Sequence, residues 1–385
     1  MSTEGIPKFS DEEMTRRHQL VRSMAQEAGV DALLIFGHSG SRRHSQGDIH
    51  YLSQLAPYHE TYVLLPVKGQ AVHWITHYNH YASAKENGWI PDIRRAGKDA
   101  AGVVAAEIEK RGLGKSRIGL VGTFFYRDVD ALRTAFPSAT FTDLSAPYRF
   151  LRTRKSTEEL DFQRKAAQAC DAVMEAMARE ARPGVEERDL LVLSEEVAWR
   201  EGCEPYFLYL NSTSMRHSTS CVPNQELSRR RLQAGDVINT ELTVSYGMYC
   251  AQLLRPFFLG DPTPEYERVY SVLCQVHALL ANAMKPGTTA QQLHEISGFI
   301  EDSGLTSVDS VLHGFGVDIL LPNLRTKGFA PPPPFVLESG MTIVLQPNPT
   351  TADERVGMQM GETGLVTENG FASLHKSPSD VIRIN

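Results

Sequence analysis

The residue types able to do chemistry gather in the second half of this 385-residue chain. His313 opens the run His313-Gly314-Phe315-Gly316, and Glu241, Gln252, Gln346 and Glu362 flank it in sequence. An internal repeat ties these four together. Gly235-Asp-Val-Ile-Asn-Thr-Glu241 corresponds to Gly340-Met-Thr-Ile-Val-Leu-Gln346 at an offset of 105 residues. Gly247 to Gln252 corresponds more loosely to Gly357 to Glu362. Arg182-Pro-Gly184 and Lys285-Pro-Gly287, offset by 103, each lead into a helix. Two units of helix plus antiparallel strands, related by a pseudo-twofold, would set Glu241 facing Gln346, with Gln252 and Glu362 nearby. An imidazole titrates near neutrality and suits proton transfer. One His, carboxylates and neutral amides are a poor set for two divalent cations, which need anionic oxygens to offset their charge.

The elements that position these residues follow from periodicity. Residues 11–29 read as an amphipathic helix, 31–36 as a buried strand, and 62–67 with 72–76 as a hairpin about Lys68-Gly69-Gln70. Residues 99–112 read as a helix and 117–122 as a strand. This alternation predicts an α/β domain of about 150 residues. Ser156 or Thr157 followed by Glu159 is an N-cap signal for a long helix over 157–181. The boundary falls at about 152, giving domains 1–152 and 153–385.

A net charge of −7 argues against nonspecific binding to nucleic acid or anionic membranes. No apolar run approaches a membrane span, and residues 1–10 lack a secretory pattern, so the expected location is cytoplasmic. The five cysteines (170, 203, 221, 250 and 274) have no CxxC spacing and read as reduced structural thiols. His77 and His80 stand three apart with no carboxylate close by, which reads as a polar surface or dimer edge rather than a metal site. Gly37 to Arg43 follows a strand and could cradle an anion, without the spacing of a nucleotide loop.

The His313–Gly316 loop resembles the His-Gly-x-Gly loop of the pita-bread family: methionine aminopeptidase, prolidase, aminopeptidase P and creatinase. The resemblance covers the whole chain. It implies an α/β N-terminal domain and an α+β pita-bread C-terminal domain. Most of that family holds two metal ions with two Asp, one His and two Glu. By the resemblance, the His is His313 and the first Asp is Glu241. The second Asp is Gln252, in Gln252-Leu-Leu-Arg255, where only the Arg of the family pattern survives. One Glu is Gln346, and the other is Gly361, with Glu362 one position along and facing the other way in a regular strand. The family's His-Glu pair is Leu320-Leu321. The usual proton-shuttling His falls at Asn224, after Pro223, and His217 upstream is the candidate replacement. In the first domain, Tyr58 and Glu60 align with a creatinase segment that reaches over a dimer partner's site. A carboxylate there disfavours an anionic substrate end.

The implied function is a metal-independent, creatinase-like hydrolase. It would cleave a C–N bond of amidine, guanidine or amide type in a small cationic substrate, with no cofactor, as a homodimer. His313, Glu241, His217 and Glu362 are the expected catalytic residues. Gln252, Arg255, Gln346, Asn224, Tyr58 and Glu60 are the expected substrate contacts. Two alternatives stand beside it: a non-catalytic binding module on the same scaffold, and a metal-dependent Xaa-Pro dipeptidase or aminopeptidase.

Overall fold

The structure is a computed structural model that describes residues 5–39, 43–226 and 228–384. Gly40, Ser41 and Arg42 of the suggested anion cradle lie outside the described residues. The chain divides into two compact units, Met1–Arg152 and Thr153–Asn385.

The first unit is built on six strands: β1 (Ala32–Ser39), β2 (His59–Pro66), β3 (Val72–Ile75), β4 (Ile93–Arg95), β5 (Arg117–Val121) and β6 (Thr140–Asp143). Their order across the sheet is β4-β3-β2-β1-β5-β6. β2 pairs antiparallel with both β1 and β3, which forms the hairpin read from sequence, and the outer pairs are parallel. Alternate residues of β1 and β2 feed two cores. Leu33, Ile35, Val63 and Leu65 face one side, and Leu34, Phe36, Tyr62 and Leu64 the other. A sheet covered on both faces needs such continuous apolar runs. Ser10 starts the first helix, Asp11–Glu27, its hydroxyl accepting from the Glu13 N–H.

The second unit begins with the helix Thr157–Glu180, opened by a full capping box between Ser156 and Glu159. Its strands are β7 (Glu204–Ser214), β8 (Asp236–Tyr246), β9 (Tyr249–Leu254), β10 (Phe257–Leu259), β11 (Thr306–Ser307), β12 (Leu312–Phe315), β13 (Ile319–Leu324), β14 (Thr342–Leu345), β15 (Pro349–Thr350), β16 (Gly361–Thr367), β17 (Gly370–Ser373) and β18 (Ile382–Ile384). The main path runs β13-β12-β14-β16-β9-β8-β10-β18, with β7 pairing with β8. The sheet thus joins the two repeats through β16 and β9.

Alternation assigns each strand one face on helices. Leu242, Val244, Ala251 and Leu253 pack with the helix Thr157–Glu180. Leu312, Ile343, Leu345 and Val366 pack with the helix Pro264–Ala283. Each fully buried side chain of this kind contributes about 1.5–3 kcal/mol. The opposite face receives the intervening residues, and there the polar ones collect.

Candidate active site

Strand parity gives that face Glu241 from β8, Gln252 from β9, His313 from β12, Gln346 just past β14, and Gly361 with Thr363 from β16. The structure joins three of them by side-chain hydrogen bonds and sets His313 beside the third. Gln252 Nε2 donates to Glu241 Oε1 at 2.7 Å and to Gln346 Oε1 at 3.3 Å. The Gln346 side chain lies close enough to His313 to raise the pKa of its ring. Gln346 Nε2 donates to the Ser310 carbonyl at 3.2 Å. Thr363 fixes Gln252 from behind, its hydroxyl accepting from the Gln252 N–H and donating to its carbonyl.

Burial and the charge of Asp309 push the Glu241 carboxyl up to about 7, against a smaller lowering by the Gln252 hydrogen bond. Burial pushes His313 below the usual imidazole range, opposed by the Gly314 carbonyl, Asp309 and Gln346. His313 Nδ1 lies 3.1 Å from the Gly314 carbonyl oxygen. A carbonyl only accepts, so Nδ1 carries the proton and the neutral ring keeps a lone pair on Nε2. Gly314 has to be glycine, because a Cβ would meet the Leu321 carbonyl oxygen at 2.2 Å. Tyr209 pairs with Glu241 in register and stacks on Phe207 at 4.4 Å, so a partly exposed aromatic wall stands beside the carboxyl.

The other candidates lie elsewhere. The registers of β16 with β14 and β9 run without a bulge, so Glu362 faces the helices. There it pairs with Arg255 at 2.9 Å and His277 at 3.1 Å, and accepts from Ser379 at 2.8 Å. Burial alone would raise its pKa, but His277, Arg255 and Ser379 together bring it down to about 2. Arg255 is fully buried and donates to the Leu254, Gly361 and Ser377 carbonyls. Both residues hold β16 in place, which corrects the expectation of a catalytic Glu362 and a substrate-binding Arg255. His217 is corrected too. Its N–H bonds Ser214, which pairs with Asp236 five residues along β8 from Glu241, roughly 16 Å away. There it lines a surface cavity of about 360 Å³ with Arg216, Glu265, Asp353 and Arg355.

The Asn224 carbonyl accepts from the Leu210 N–H, beside Tyr209, while its side chain is exposed and caps Glu226. In the first unit Tyr58 is exposed, and Glu60 is held by Arg127 at 2.7 Å, so it is not the free repelling carboxylate expected. All five cysteines are free.

Sequence reasoning missed Asp309, Asn348, Thr363 and His277. Asn348 braces the turn bearing Asp309: its Oδ1 accepts from the Ser307 hydroxyl and from the Val308 and Asp309 N–H groups. The available signal for Asp309 was a carboxylate four residues before His313.

Residues 161–368, more than half the chain, match the metallopeptidase family M24, and residues 17–154 match the creatinase/prolidase N-terminal domain. An Xaa-Pro dipeptidase of Pyrococcus furiosus is 24% identical over 340 residues, 87% of this chain and 92% of that protein. The X-Pro aminopeptidase of Thermotoga maritima superposes with a TM-score of 0.81 at 20% identity, over 95% of this chain and 99% of that one. The N-terminal domain of FACT complex subunit SPT16 from chickpea (Cicer arietinum) superposes at 0.76 with 15% identity, over 98% and 100%. Fold and site thus define a two-domain pita-bread hydrolase of the class acting on carbon–nitrogen bonds. The chain belongs to metallopeptidase family M24.

The family description implies metal, and the residues present do not fit a metal pair. The Gln252 amide hydrogens point at both the Glu241 and Gln346 oxygens, where ligand carboxylates would converge on a cation. Gln252 and Gln346 bring no charge to offset a dication. At Gly361 even a Cβ would sit 2.1 Å from the Leu345 carbonyl oxygen, so the strands have closed over the place of a ligand side chain.

Proposed function

We propose that this chain hydrolyses the C–N bond of a small amide, with proton transfer by Glu241 and His313 and no step through a metal pair. The carrying observation is the hydrogen-bonded Glu241–Gln252–Gln346 row on the same sheet face as His313, with Glu241 at about 7. Water adds to the carbonyl carbon as His313 Nε2 takes its proton, and protonated Glu241 gives its proton to the departing nitrogen. The imidazolium then returns its proton to Glu241, and the pair is reset.

The relatives' names favour the peptidase alternative over a guanidine or amidine substrate, so the amide proposed is an X-Pro dipeptide. The Phe207–Tyr209 wall supports this choice, since a pyrrolidine ring packs well on an aromatic face. A homodimer in the cytoplasm is part of the proposal, and no helix among the described residues is long and apolar enough to cross a membrane.

The second reading is a metal-dependent Xaa-Pro dipeptidase, favoured by the family description and by the relatives' names. A turnover screen of X-Pro dipeptides beside guanidino and amidine compounds, with chelator or added manganese, separates the two. Chelator-resistant X-Pro cleavage that Glu241→Gln abolishes is expected. Cleavage that appears only with manganese would establish the second reading, and binding without turnover would leave a non-catalytic module.

A further inference from the structure

The sheet that carries Glu241 and His313 brings no cation to them. Its strands β7, β8, β9, β12, β13, β14 and β16 contain no Lys or Arg. Arg255, Lys155 and Arg325 come close to it, and each is turned to other partners. Arg255 lies on the helix side with Glu362. Lys155 reaches Gly316 but is buried and donates to the Thr153 carbonyl. Arg325 donates to the Val308 carbonyl at 2.8 Å and lies over the Phe329 ring at 3.6 Å. An anion is present instead. The Ser310 carbonyl takes the Gln346 amide, so Asp309 stands one residue from the hydrogen-bonded row. Asp309 is exposed while Ser310 and His313 are buried, which sets its carboxylate at the mouth of the pocket. Its Oδ1 accepts from the Ser310 N–H at 2.7 Å, and among the described residues no cation pairs with it. Its charge reaches both Glu241 and His313.

The edge strand β13 continues the same face. Asn323 lies opposite His313 in register, and Ile319 lies opposite Phe315. The Phe315 and His313 rings meet edge to face at 5.3 Å between centroids. Directly opposed residues share a face, so Asn323 and Ile319 stand on the His313 side. Burial alternates along β13: Ile319, Leu321 and Asn323 are exposed, while Leu320, Pro322 and Leu324 are buried. Ile319 is 58% exposed and Leu321 41%, which makes an apolar lip beside the imidazole. The sequence marked Leu320-Leu321 only as a lost polar pair. The register shows that what replaces it on the open side is apolar.

An X-Pro dipeptide with a free carboxyl carries that charge on the carbon bonded to the scissile nitrogen. In this pocket the carboxylate would lose water, meet no cation from the strands and be repelled by Asp309. A carboxamide in its place carries no charge to desolvate, and its pyrrolidine packs on the apolar lip. We propose that the site selects X-Pro units whose proline carboxyl is neutralised as an amide, with Asp309 as the specificity-determining residue that rejects a free carboxylate, and with Ile319 and Leu321 as apolar contacts of the leaving group. Selection of this kind works by repulsion of the wrong ligand as much as by attraction of the right one. The proposal rests on the amide hydrolysis proposed for this pocket and narrows its substrate.

The test is steady-state kinetics of the full chain on alanyl-proline and alanyl-prolinamide. The amide is expected to have a kcat/KM about 10-fold higher or more, with the difference in KM. Asp309→Asn is expected to cut that ratio by about 3-fold or more. Its effect on Glu241 is common to both substrates and cancels in the ratio. Asn323→Arg sets a guanidinium opposite His313 at an exposed edge position. It is expected to lower KM for the free dipeptide by about 10-fold and to leave that of the amide within about 2-fold. If the parent chain turns over neither compound, amide hydrolysis fails as the function, and calorimetric titration of the same two compounds carries the comparison. Tighter binding of the amide, levelled by Asp309→Asn, would then sustain the charge selection. Equal values for the two compounds, a preference for the free dipeptide, or binding of neither would overturn it.

Discussion

At the residue scale the proposal rests on two titratable groups with opposite needs. Glu241 must carry a proton and His313 must not, and burial drives both in that direction. Glu241→Gln is expected to cut turnover by about 10²–10⁴-fold, the usual worth of a positioned acid or base. The alkaline limb of the rate profile should lie near pH 7, where Glu241 loses its proton. Asp309 raises that value by its charge, so Asp309→Asn is expected to move the limb to lower pH, read from kcat against pH. Glu241 and His313 were legible in the sequence, one from the repeat and one from its glycine loop. The influence of Asp309 was not, because it comes through space, with 67 residues of chain between Asp309 and Glu241.

At the element scale, strand parity decides which carboxylate faces the pocket. β16 pairs regularly on both sides, so a one-residue offset between Gly361 and Glu362 carries the side chain to the helix face. The sequence contained that alternative, but only the register shows that no bulge reverses it. On the helix face Glu362 meets Arg255 and His277, and Arg255 also ties down the Gly361 carbonyl. Glu362→Ala leaves Arg255 buried without its partner and is expected to cost about 3–5 kcal/mol of stability, measured by denaturant unfolding. Gly361→Glu, which restores the family's residue type, is expected to destabilise the fold and to recruit no metal. Its first side-chain atom already collides with Leu345, and elemental analysis of the variant checks this. The hairpin of the first unit and the long helix after Ser156 were legible, since turn and cap signals are local. The brace from Asn348 to the Ser307–Asp309 turn was not, because it joins segments about 40 residues apart.

At the scale of the whole molecule, the two carboxyls on opposite faces of one sheet shape stability against pH. Glu362, lowered to about 2, contributes stability that is present above the unfolded value near 4.5 and is lost as pH falls toward 2. Glu241, raised to about 7, acts in the other sense: the folded chain holds its proton longer, so stability declines as pH rises from about 4.5 to 7. Each change is about 3 kcal/mol at most, at about 1.4 kcal/mol per pKa unit. Thermal melts of Glu241→Gln are expected to lose the decline between pH 5 and 7. The measurement that bears most directly on a pocket without its metal pair is the metal content of the chain, purified without chelator and assayed by elemental analysis. Less than a tenth of an equivalent of manganese, iron, cobalt, nickel, copper or zinc is expected, with X-Pro cleavage intact. Two equivalents retained by the chain would contradict the account and return the pocket to metal-dependent peptidase chemistry.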